Sequence, residues 1–127
     1  MPLISLSGAI SSTLFGDSNS MIPMLLVAVI IDYITGLIAG MINGELSSEV
    51  GFKGILRKII IFSIVVAAHF IDVVLSTGEM IRNATVIFYL CNEILSILEN
   101  AGKAGLPLPP SILEKIQALK NRSNNKE

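Results

Sequence analysis

Apolar residues fall into three long runs, Met21 to Ile42, Gly54 to Leu75 and Ile81 to Leu98, separated by short polar stretches. A bilayer hydrocarbon core about 30 Å thick is crossed by roughly 20 apolar residues in a helix, a length that the first two runs meet and the third nearly meets. The pattern predicts an all-α membrane protein with transmembrane helices over 21–42, 54–75 and 81–98. Asn43-Gly44 breaks the first span, and the polar stretch Glu45 to Phe52 follows it. Ser76-Thr77-Gly78-Glu79 is short enough to force the second and third spans into an antiparallel hairpin.

The flanks are patterned differently. Residues 1–20 mix Leu, Ile and Phe with Ser, Gly and Asp17, and their periodicity does not separate a short interfacial helix from a loosely ordered external segment. Beyond Asn100, Gly102, Gly105, Pro107, Pro109 and Pro110 break the third helix, opening a tail over 101–127. Ser111 and Glu114 have capping-box spacing. Ile112, Leu113, Ile116 and Leu119 recur at helical intervals, which predicts a short amphipathic helix over 111–120 lying on the inner membrane surface or against the bundle. Residues 121–127 read as a disordered basic tail with affinity for anionic headgroups.

A formal net charge of -1 conceals a sharp sorting of the nine cations. Lys53, Arg57 and Lys58 flank the first connection, Lys103, Lys115, Lys120, Arg122 and Lys126 lie in the tail, and Arg82 alone lies at the second connection. With three spans, the first connection and the tail share a side, so eight cations stand on one side against one on the other. The positive-inside rule makes that side cytoplasmic, with the N-terminus out and the C-terminus in. The N-terminal segment lacks the positive region of a secretory signal, so the first run is expected to be retained as a span.

Composition narrows the function classes. With 52% hydrophobic and 15% charged residues the chain falls outside the soluble range, and 127 residues make one domain. Three helices in lipid bury little surface on one another, so a homo-oligomer is expected. Cys91 stands alone within the third run, which excludes an internal disulfide and reads as a small apolar residue. No nucleophile with a base, no phosphate loop and no basic-aromatic patch is present. An enzyme, a cofactor and a nucleic-acid partner are therefore not expected.

The informative residues are those that lipid would reject. Asp32 lies in the middle of the first span, where a carboxylate costs about 2.5–3.5 kcal/mol on insertion scales. Gly36, Gly40 and Gly44 repeat on the same helix at four-residue spacing, a pattern that admits a second helix backbone. Glu93 lies within the third span, which also carries Thr85, Tyr89, Asn92, Ser96, Glu99 and Asn100 at intervals of three and four. Such a stripe must face other helices or water. Two readings of the acids stay open: neutralisation inside a static bundle, for instance by Lys58 or a proton, or burial between subunits in one assembly and exposure to water in another. Lys53, Arg57, Lys58, Asp72 and Arg82 are expected at the membrane interfaces, with Arg57 and Lys58 snorkelling. His69 and Asp72, one turn apart, are placed to hydrogen-bond locally.

These elements occur together in a recognisable order. Asp32-Tyr33-Ile34-Thr35-Gly36, Gly54-Ile55-Leu56-Arg57-Lys58, Asp72, Arg82-Asn83, and Asn92-Glu93 with Ser96, Glu99 and Asn100, followed by Gly105 and Pro107, resemble the phage lysis and toxin-secretion holin family from about Ile31 to Leu119. The resemblance implies a protein made late in phage infection that accumulates in the host cytoplasmic membrane. At a set time it opens holes through which an endolysin reaches the wall, a dependence that needs no direct contact. Relatives beside large toxins are implicated in toxin release. On this reading Asp32, Thr85, Tyr89, Asn92, Glu93, Ser96 and Asn100 line the hole, and the partners are further copies, the bilayer and an antiholin. Other classes stay open: an antiholin regulator, a small ion channel or transporter with Asp32 and Glu93 as a proton or cation site, or a structural subunit.

Overall fold

The computed structural model describes residues 2–16 and 21–125, and among them forms five helices and no strand. These are α1 (Pro2–Phe15), α2 (Met21–Ile42), α3 (Ser48–Leu75), α4 (Met80–Lys103) and α5 (Pro110–Asn125). Helices α2, α3 and α4 are each long and apolar enough to cross a membrane. A helix satisfies its own backbone polar groups, which is the condition for crossing lipid.

Helix α4 is the centre of the bundle. It packs extensively on α2 and less on α3, whereas α2 and α3 touch little, so the two flank it and splay apart. Toward the hairpin end the core is Leu25 and Val29 of α2, Val65 of α3 and Val86 of α4. Phe15 from the end of α1 packs against this cluster, with its ring edge-on to Phe62 at a centroid distance of 6.4 Å. The weak periodicity of residues 1–20 thus conceals a helix docked on α3, while Asp17 to Ser20 lie outside the described residues.

Several helix ends differ from the sequence expectation. Helix α3 begins at Ser48 rather than near Gly54, because Ser47 in extended geometry accepts at Oγ from Val50 N and caps it. Gly51 and Gly54 therefore lie within a helix, where glycine is ordinarily unfavourable. The small size of Gly51 has a use: a Cβ there would crowd Tyr33 Oη at 3.3 Å, whereas one at Gly54 would reach Tyr33 Cε2 at an ordinary 3.7 Å. The bare α3 backbone seats the Tyr33 ring of α2. Helix α4 runs through Gly102 to Lys103 and stops before Gly105, whose φ is +97°. Asn43 Nδ2 donates to Lys103 O at 2.9 Å there, closing that carbonyl end.

The tail helix also extends past its predicted end, reaching Asn125 where residues from 121 read as disordered. No Gly or Pro follows Pro110 to stop it. Ile112 is half-buried and Leu113 exposed, while the side chains of Ile116 and Leu119 lie outside the described set. The connection between α3 and α4 is as tight as expected, with Ser76 (φ 55°) and Gly78 (φ 69°) in left-handed conformations.

Candidate functional site

Three side chains from three spans meet at mid-length. Lys58 of α3 donates from Nζ to Asp32 Oδ2 of α2 at 2.7 Å and to Glu93 Oε2 of α4 at 3.0 Å. Asp32 and Glu93 are buried and Lys58 nearly so. Lys58 was expected to snorkel with Arg57. Instead it turns inward, because two uncompensated carboxylates in an apolar interior cost more than withdrawing one ammonium from the interface. Arg57, the next residue, stays exposed, as does Lys53, paired with Glu49 at 3.2 Å.

Asn100 completes the cluster. Its Nδ2 donates to Asp32 Oδ1 at 2.8 Å, Asp32 O at 3.0 Å and Thr35 Oγ1 at 3.0 Å, so a single amide ties α4 to a side chain and to the backbone of α2. The Asp-x-x-Thr-Gly run has a local cause here. Asp32 and Thr35 present acceptors one turn apart, and Gly36 lies against the same amide, where a Cβ would stand in ordinary contact at 3.6 Å from Asn100 Nδ2. Gly40 likewise faces the backbone of Leu46, at 3.7 Å from where a Cβ would stand. Both glycines serve contacts within the chain. Gly44 lies beyond the end of α2 at φ +69°, with no neighbouring atom of the described residues within 4 Å of a Cβ, so within the chain it serves the turn.

The predicted stripe on α4 divides. Glu93, Ser96 and Asn100 face α2 and α3, Tyr89 packs against the apolar core, and Thr85 donates to its own helix at Ile81 O. Asn92 is exposed. Adjacent helical residues point about 100° apart, so a stripe of three- and four-residue intervals that includes both 92 and 93 is too wide for one contact face. A cleft of about 500 Å³ runs from the 43–47 connection to this cluster, with Arg57, Glu45 and Lys103 among its lining.

At the hairpin end two residues expected at the interface are buried. Asp72 accepts from Thr77 Oγ1, from Ile81 N at 3.0 Å and from Arg82 N at 2.8 Å. It thereby caps α4 from another helix, which Glu79 at the N-cap does not do with its side chain. A carboxylate at a helix N-terminus also meets the positive end of the dipole. His69 makes no bond to it; its Nδ1 is buried with no hydrogen-bond partner among the described residues. Arg82 is fully buried, donating to Phe15 O at 2.7 Å and to Glu79 Oε2 at 2.7 Å. The carbonyl end of α1 offers it an acceptor across 67 positions of sequence, a contact for which the local pattern holds no signal.

Three membrane-length helices closed around an ion-paired centre define a small multi-pass membrane protein. Residues 9–121 match the model of the bacteriophage holin family, and the chain belongs to that family. It is 45% identical to an uncharacterised protein of Halalkalibacterium halodurans over 86% of this chain and 84% of that one. It is 42% identical to an uncharacterised protein of Listeria monocytogenes over 94% and 86%. A protein of Bacillus phage phi105 named "Probable holin" is 34% identical over 89% and 83%. No solved structure matches the chain.

Proposed function

We propose that this chain is a holin, which accumulates in the bacterial cytoplasmic membrane, self-associates, and at a set time opens holes that release an endolysin or a toxin. The observation that carries this reading is the family match across residues 9–121. The polar centre supplies a physical route. In a closed bundle Asp32, Lys58, Glu93 and Asn100 satisfy one another, so each protomer is tolerated in an intact bilayer. On opening, water takes over the partners of Glu93, Ser96 and Asn100, and with Asn92 this edge of α4 lines the hole. Hydration removes the cost of keeping charges dry, so a growing hole favours its own growth.

Expression in a bacterium with and without a cytoplasmic endolysin tests the function. Abrupt lysis only when the endolysin is present is the expected outcome. Unbroken growth in both strains would refute the reading and leave a regulatory or conducting role. Orientation is tested separately, in a background with Cys91 replaced by Ser. A cysteine at Thr77 is expected to react with an impermeant thiol reagent in intact cells, and one at Ser123 only after permeabilisation, because eight of nine cations lie on the side of Ser123. Labelling of position 123 in intact cells before lysis would reverse the topology.

A further inference from the structure

Because α2 and α3 splay around α4, a second space of about 290 Å³ opens between them, lined by Leu26, Ile30, Ile34, Ile55, Ile59 and Phe62. It lies within two membrane-length helices and has almost no polar surface, so water has nothing to bond there. An apolar groove of this volume suits a hydrocarbon chain, which has no polar group to satisfy.

The groove shares a wall with the polar cleft. Tyr33 and Lys58 line both, so a molecule lying past Tyr33 places one part among aliphatic side chains and another in the cleft. The deep end of the cleft is satisfied internally, since Lys58 is held by Asp32 and Glu93. The other charged residues lining the cleft are Arg57, Lys103 and Glu45, two cations to one carboxylate. None of the three forms a side-chain hydrogen bond or ion pair among the described residues. Arg57 stands next to Lys58 and between Ile55 and Ile59 of the groove, at the level where cleft and groove adjoin.

From this juxtaposition we propose that each protomer holds one anionic phospholipid, its phosphate on Arg57 and Lys103 and one acyl chain in the groove between α2 and α3. Guanidinium and ammonium groups are the usual partners of a phosphate, Arg in a two-pronged geometry. The site stands apart from the hole-forming role and is tested by binding alone.

The full-length protein is reconstituted in phosphatidylcholine vesicles containing a trace of phosphatidylglycerol with a photoreactive acyl chain, and adducts are mapped by peptide mass spectrometry. Adducts are expected to concentrate on residues 26–34 and 55–62, over the more exposed Val73 and Val74 near the hairpin. Excess unlabelled phosphatidylglycerol should erase them, and phosphatidylcholine should not. In Arg57→Gln/Lys103→Gln the yield at these positions should fall roughly tenfold or more, as expected on losing two cationic contacts to an anionic headgroup. Even labelling of every apolar face, or an unchanged yield in the double variant, overturns the proposal. So does a disulfide between protomers from Ile34→Cys with Cys91 replaced, which would put a second copy in the groove. The wild-type map decides the matter even if the double variant inserts poorly.

Discussion

Replacing Lys58 with Met is expected to destabilise the closed bundle by about 3–5 kcal/mol, the range for removing one partner from a buried ion pair. The loss is severe because Lys58 is the only ammonium shared by two buried carboxylates in the cluster, at 2.7 Å and 3.0 Å. Asp32→Asn and Glu93→Gln are expected to cost far less, about 1 kcal/mol each, since either leaves Lys58 one carboxylate and keeps a neutral acceptor in place. The triple variant Asp32→Asn/Lys58→Met/Glu93→Gln should recover most of the stability lost by Lys58→Met alone, a coupling that independent sites do not show. Unfolding by increasing SDS in mixed micelles, followed by circular dichroism, gives the free energies. If Lys58→Met lies within experimental error of wild type, the acids are neutralised by some other group.

Asp72→Ala should open the α3–α4 hairpin, with a loss of about 2–4 kcal/mol. One carboxylate, 1% exposed, accepts from a threonine hydroxyl and two backbone amides. Removing it strands those donors where water cannot replace it, and it uncaps a helix whose own N-cap residue supplies no side-chain bond. Hydrogen exchange should locate the damage: amides of residues 80–84 accelerate strongly, and those around Leu25 and Val65 follow only as the bundle as a whole opens. Asp72→Asn keeps acceptor capacity while losing the charge and is expected to fall between the two. Equal exchange at residues 80–84 in wild type and Asp72→Ala would mean that α4 is held at this end by packing alone.

The three spans were legible because lipid imposes a length and a composition that few sequences meet by accident, and Asp32 and Glu93 were legible because they violate that composition. Lys58 as their partner stood among the readings, though its neighbour Arg57 made snorkelling the simpler expectation. Asp72 and Arg82 were misplaced for another reason. A charge near the end of an apolar run looks interfacial until the helix it caps, or the carbonyl it reaches, is known, and those partners lie 9–10 and 67 residues away. The Asp72 cap had one available signal: the start of α4 offers no Ser, Thr, Asp or Asn immediately before it, so its first amides needed an acceptor from elsewhere. Nothing comparable announced α1, whose docking rests on one ring, Phe15, and on its backbone carbonyl rather than on a periodic side-chain pattern. The α4 stripe was overread because polar spacing gives an arc and not a contact.

The central position of α4 also bears on the order of synthesis. Of the three spans the ribosome delivers α2 first, and with it an acid that has no ion-pair partner until Lys58 follows 26 residues later. When α3 arrives the two helices have little surface in common, so that ion pair is the principal bond between them. The last helix to emerge is the least apolar of the three, and it carries Glu93 and Asn100, both of which find partners already waiting on α2 and α3. The final span is thus received by a half-built docking site that its predecessors hold open. Truncating the chain after the hairpin turn would leave two helices joined chiefly by that ion pair, and insertion of α4 by itself would lack the groups that make its passage into lipid favourable.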